Sequence, residues 1–185
     1  MPRKLFRKYL PDGDQVRANR YLAWFGAWLN HPNLWHLNRD SVAGAVAIGL
    51  FSGLVPGPLQ MLAAALLAVP LRRNLPVALL TTLYTNPFTI VPLYVIAYGY
   101  GSLLLGGNAG ALPVQPFEMN WADWGGSLRG LTAWMFELGK PLLVGLIALA
   151  LTLAAAGYAA VQVAWRAYVV LAWRARKRRR EGGKP

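Results

Sequence analysis

Gln60, Thr85, Asn86 and Thr89 are neutral polar side chains set inside long apolar runs, and Arg72-Arg73-Asn74 stands between two of those runs. Amides and hydroxyls in such places can hydrogen-bond a ligand, or the backbone groups that a neighbouring proline frees. Two adjacent guanidiniums can grip a phosphate headgroup bidentately. Pro56-Gly57-Pro58 breaks one apolar run at its centre, and a half-helix starting at Pro58 would aim free N–H groups and a positive dipole end at the break. Pro56, Gly57, Pro58, Gln60, Arg72, Arg73, Asn74, Asn86, Pro87 and Thr89 are thus the candidate set for binding an anion.

Catalysis is not what these residues suit. No Asp or Glu lies between Asp40 and Glu118, and Glu118, Asp123 and Glu137 are scattered among aromatics without a recognised spacing. No enzyme is expected. Cysteine is absent, which excludes disulfides, thiol catalysis and cysteine metal sites. His31 and His36 are five apart with Pro32 between them, off a common helical face, so neither metal nor cofactor is expected.

The elements that must position these residues follow from hydropathy and charge. Of 185 residues, 56% are hydrophobic and 14% charged, and stretches 41–71, 75–117 and 141–165 carry no charge at all. Each exceeds the ~20 residues that cross a hydrocarbon core, which predicts an all-α integral membrane protein. The net charge of +12 sits at the ends, with seven basic residues before Ser41 and eight after Trp165. Basic ends beside apolar spans predict cytoplasmic termini and contact with anionic lipid, and leave nucleic acid an unneeded explanation for the basic run 174–180. Residues 3–14 lack the apolar core and cleavage site of a secretory signal.

Five segments emerge. Residues 1–40 are basic; within them Tyr21, Leu22, Trp24, Phe25, Trp28 and Leu29 recur at helical steps and predict an amphipathic helix over 16–37. It would lie in the headgroup region or pack on the protein's own cytoplasmic face. Asp40 or Ser41 can cap a second helix. Its arms, 41–55 and 59–71, measure ~22 and ~20 Å, too short to cross alone, and the prolines prevent a continuous helix. A re-entrant hairpin over 41–71 is the economical reading, with Ser41, Ala45, Gly49 and Gly53 forming a small-residue stripe for close packing.

Residues 75–106 form a span interrupted at Thr85-Asn86-Pro87-Phe88-Thr89 and Pro92, or a second hairpin arm. Residues 107–140 have an acidic balance and predict an external loop, with Trp121, Trp124, Trp134 and Phe136 on the outer interface. Residues 141–173 are a transmembrane helix and its interface: Pro141–Trp165 is the cleanest span, with Trp165, Tyr168 and Trp173 at its cytoplasmic boundary, and its stripe Ala148, Thr152, Ala156 and Ala160 would pack against the hairpin; 174–185 is a basic cytoplasmic tail. Only if 41–71 returns to its starting side do both basic ends stay inside.

Gly49, Phe51, Gly53, Pro56, Pro58, Gln60 and Met61, then Arg72, Asn74 and Pro76, then Asn86, Pro87, Thr89, Pro92 and Tyr94 form a combination that resembles the domain of unknown function 2062 (DUF2062) family of bacterial membrane proteins. The resemblance implies the bacterial inner membrane; relatives joined to glycosyltransferase domains would imply cell-envelope or lipid-linked-sugar work. More loosely, a proline-rich hairpin followed by a second interrupted segment looks like the DedA-type lipid carriers and small multidrug exporters. Those carry an acidic residue at the hairpin tip where this chain has Gln60.

Two broken segments in neighbouring positions point to a midplane binding site. The expectation is transport or translocation of a small or lipid-linked anionic species, the alternative a non-catalytic structural or partner-binding membrane subunit of a cell-envelope assembly. The small stripes suit a homo-oligomer.

Overall fold

The computed structural model describes residues 31–57, 59–107, 117 and 123–181. A 3-10 turn, Pro32–Leu34, precedes five α-helices: α1 (Arg39–Ser52), α2 (Leu59–Ala68), α3 (Leu75–Thr82), α4 (Ile90–Leu104) and α5 (Trp124–Glu181). Among the described residues there is no strand. The amphipathic helix expected over 16–37 lies outside the described residues up to Asn30; from His31 onward the chain is the 3-10 turn and a short extended piece, anchored by the fully buried Leu34.

The N-cap of α1 is Asn38, not Asp40 or Ser41. Its extended backbone brings Oδ1 over the first turn, where it accepts from Ser41 N at 2.7 Å. Ser41 Oγ instead donates to Asn33 O at 2.6 Å, tying the entry segment to the helix. Proline at 56 stops α1 before the turn, since its ring cannot continue the ladder. The chain then doubles back: Arg73 Nη1 donates to Asp40 O at 2.7 Å and Asn74 N to Ser41 O at 3.4 Å. These bonds place the end of the α2 segment at the start of α1, so α1 and α2 are the two arms of a helical hairpin.

All four residues of the stripe Ser41, Ala45, Gly49 and Gly53 are buried. Ala45 packs with Ala64 and Ala68 of α2 and with Ala78 of α3. A Cβ at Gly49 would come within 2.6 Å of Ala78 O, so glycine is what lets α3 lie this close. Asn74 opens α3: it is fully buried, its Oδ1 accepts from Val77 N at 3.0 Å, and its Nδ2 donates to His36 O at 3.4 Å. Pro76 follows inside the first turn, where a missing N–H costs nothing. Asn74→Ala removes the cap of α3 at a fully buried position and should lower stability by about 1 kcal/mol, read from thermal unfolding in detergent.

Contacts along α5 set the heights of the other helices. Asp40 meets Tyr158 and Gln162; Val46 and Leu50 meet Gly157; Ala97 and Gly101 meet Gly145 and Pro141. From Pro141 to Gln162 is about 32 Å of helix. The hairpin runs from the Gln162 end, where Asp40 sits, to Pro56 beside Leu142 and Leu146. α3 starts beside the start of α1, and α4 leads on from the tip of the hairpin toward Pro141. Residues 75–104 are therefore one path interrupted midway, not a second hairpin.

Two expectations are corrected. Residues 124–138 are helical and join the core: Leu131, Trp134 and Leu138 are buried, and Trp134 faces Phe117 at 6.4 Å between rings. Trp134 thus leaves the proposed outer interface, because a buried apolar partner outweighs an interfacial seat; Phe136 is 85% exposed. Gly139, at φ +58° and ψ −143°, breaks α5 before Pro141. The side chain of Trp124 and all of Trp121 lie outside the described residues, as do residues 182–185 of the basic tail. Secondly, Thr152, Ala156 and Ala160 are exposed, and Ala148 is half-buried. The face of α5 that packs carries Leu142, Leu146, Leu149, Leu153 and Gly157, which buries more apolar area while Gly157 admits Leu50.

Candidate functional site

An α-helix leaves its last carbonyls without intrahelical partners. At the tip of the hairpin three such carbonyls of the α1 end are taken by side chains from the interrupted path. Tyr84 OH donates to Leu50 O at 2.8 Å, Thr85 Oγ1 to Gly53 O at 2.5 Å, and Tyr94 OH to Leu54 O at 2.8 Å. Thr85 Oγ1 also lies 2.6 Å from the Gln60 side-chain oxygen position and 3.0 Å from Thr82 O. One proton cannot serve three acceptors, so the Gln60 amide is best turned with its NH2 donating to Thr85. Thr85 therefore joins the end of α1, the first turn of α2 and the end of α3.

Asn86-Pro87-Phe88-Thr89 is a capping box. Asn86 Oδ1 accepts from Phe88 N at 2.9 Å and Thr89 N at 3.1 Å, while Thr89 Oγ1 accepts from Asn86 N at 2.9 Å. Pro87 takes the second position of this turn ahead of α4, where its lack of an N–H is harmless. Thr89 Oγ1 donates in turn to Tyr84 O at 2.8 Å, which fastens the turn leading into α4 to the same cluster. Four helix ends thus meet around Thr85 and Tyr84, near mid-height of the bundle.

The structure divides the candidate binding set. Gln60 belongs to this cluster, and Asn86, Pro87 and Thr89 build the turn beside it; Asn86 itself is exposed and spends its amide oxygen on the backbone. Pro56 and Gly57 are half-buried at the tip, with Gly57 at φ +68°, a conformation that suits glycine. Pro58 lies outside the described residues. Pro56 also lines an apolar recess of about 240 Å³ shared with Met135, Gly139, Leu142 and Leu146.

Arg72, Arg73 and Asn74 stand at the other end of the hairpin and do not meet Gln60 or Asn86. Arg73 lies across Gly44, and its guanidinium is 3.7 Å from Asp40 Oδ2. Asp40 also accepts from Gln162 Nε2 at 3.2 Å. Arg73 is thereby occupied with a carboxylate of its own chain, while Arg72, at φ +53°, is exposed. Asn74 is consumed as a cap.

Besides Thr85, three residues enter the site that the candidate set omitted. Tyr84 and Tyr94 bracket the break at Asn86-Pro87, and polar aromatics flanking a broken apolar run were the available signal. Ser52, 1% exposed, is the third: its hydroxyl is the one buried side-chain N or O atom of the described residues without a hydrogen-bond partner. Helical spacing puts it on the face of Ala45 and Ile48 that meets α2.

One helix, Gly125–Arg174, is long and apolar enough to cross a membrane by length and composition, and Leu59–Ala68 and Ile90–Leu104 are shorter apolar helices. A family model described as "Uncharacterized protein conserved in bacteria (DUF2062)" matches residues 22–174. No curated protein and no solved structure matches the chain, so the looser likeness to DedA-type proteins gains no support.

Proposed function

The chain belongs to the DUF2062 family, and from that premise we propose that it is an inner-membrane carrier that moves a small or lipid-linked anionic species past the hairpin tip. The observation that carries the reading is the meeting of four helix ends around Thr85 near mid-height of the bundle. Discontinuous helices that present their ends to one polar point at mid-depth are how secondary transporters build substrate sites. The positive ends of α2 and α4 suit an anion, and the Gln60 amide can exchange Thr85 for substrate.

In this reading the bundle height of about 32 Å along α5 matches a hydrocarbon core of ~30 Å. The hairpin is then re-entrant, α3 and α4 cross together as one broken span, and α5 crosses back. The end bearing Asp40, Arg73 and Gln162 faces the cytoplasm with both termini, in contact with anionic lipid. No catalytic step is involved. A second reading, a structural or partner-binding subunit of a cell-envelope assembly, is favoured by a different observation: the polar side chains of the tip, Ser52 aside, already satisfy one another.

Two measurements test this. Single cysteines at the exposed Arg72 and at Asn108 of the cysteine-free chain should label only from inside and only from outside, respectively, in intact and opened cells. Labelling of both from one side defeats the topology. Proteoliposomes containing a fluorescent phosphatidylglycerol, or offered inorganic phosphate, should move at least one of the two, and Gln60→Ala should abolish that movement with helix content unchanged. Wild-type protein that moves neither leaves the subunit reading.

A further inference from the structure

α5 does not stop where the bundle stops. Among the described residues Gln162 bonds to Asp40 near the end of the bundle, yet α5 continues as helix to Glu181. Over the next three turns it presents Val163, Tyr168, Val169, Leu171 and Trp173 to the surroundings, Val163 at 69% and Leu171 at 63% exposure. Val163, Ala167, Val170 and Leu171 line a continuous apolar face edged by Arg166. Residues 163–173 extend about 16 Å beyond the bundle. The helix alongside the bundle already accounts for a hydrocarbon core of ~30 Å, so lipid tails do not cover this extension.

We infer that the cover is the chain's own residues 16–30, laid with Tyr21, Leu22, Trp24, Phe25, Trp28 and Leu29 against the Val163–Leu171 face. Three facts converge on that occupant. The described residues start at His31 on this same end, where Asn33 and His36 bond to Ser41 and Asn74. Their apolar residues fall at three- and four-residue steps, and fifteen residues of helix span about 22 Å, enough to cover the extension. The family match begins at residue 22 and ends at 174, taking in both the aromatic segment and the extension while leaving out the outermost basic residues. Arg17, Arg20 and Arg166 carry like charge, so the contact rests on apolar surface. The inference goes beyond the carrier reading but rests on its placement of the bundle across the hydrocarbon core, which the cysteine labelling above tests separately from the cross-links below.

Full-length protein in native membranes tests it. Phe25→Cys or Trp24→Cys, each paired with Val170→Cys, should cross-link within one chain on oxidation, seen as a mobility shift at monomer mass. Trypsin should cut after Arg17 and Arg20 about tenfold more slowly than in a Val163→Asp/Leu171→Asp variant. Cross-linked dimers through Val170→Cys without the intramolecular product would overturn the inference in favour of a second copy. Absence of any cross-link would overturn it, and quenching of Trp24 by brominated lipid, read as the difference from Trp24→Phe, would then assign the segment to the membrane surface.

Discussion

Gly145→Leu should abolish accumulation of folded protein. A Cβ at Gly145 would fall on the carbonyl oxygen and carbon of Ala97, and one at Gly101 would fall on Pro141 O. These are backbone atoms of α4 and α5, which cannot step aside as a flexible side chain can. The two helices must separate, and separation would uncover Ala97, Tyr98, Leu142 and Ala150 of the core. The cost should exceed about 3 kcal/mol, at or above the upper end for overpacking, because the whole crossing moves. Gly145→Ala should already destabilise. Ala156→Leu, a larger change on the exposed face of the same helix, should leave thermal unfolding in detergent nearly unchanged. Equal loss from Ala156→Leu would mean that the stripe 148/152/156/160 packs after all.

Thr85→Val is the second. The side chains are nearly the same size, so packing is preserved and the hydroxyl alone is lost. Gly53 O then sits buried without its donor, and the Gln60 amide loses the group that fixes it. A buried carbonyl left unpaired costs about 1–3 kcal/mol, and the release of Gln60 adds to it. Thr85→Ser should recover most of that loss. Under the carrier reading Thr85→Val also slows movement of the phosphatidylglycerol or phosphate probe more than its stability loss explains. Under the subunit reading activity and stability fall together.

Much of this arrangement could be read from residue order because it is local. Arm lengths either side of Pro56, the small stripe at every fourth residue, and Asn74 ahead of Pro76 each specify a hairpin, a packing face or a helix start within a few residues. The break at Asn86-Pro87 was legible for the same reason. What escaped depends on partners distant in sequence. The pairing of Gly101 with Gly145, the reach of Tyr94 to Leu54 and the ion pair of Arg73 with Asp40 are set by how helices stack, which no local pattern records. The stripe on α5 misled because small residues permit close approach without requiring it. Arg73, Asn74 and Asn86 were read as ligand groups because polar atoms among apolar neighbours need partners; the partners are this chain's own backbone and Asp40.

The bond between Ser41 O and Asn74 N carries a meaning for gene history. Because the hairpin leaves and returns at one point, removing or inserting residues 41–73 as a block would not invert the orientation of anything downstream. Under the carrier reading, matched changes in the length of its two arms spare the chain the reversal that follows the gain or loss of a single crossing. Such paired changes should therefore be better tolerated than a change in the number of segments that follow, while Gln60 at the tip stays fixed.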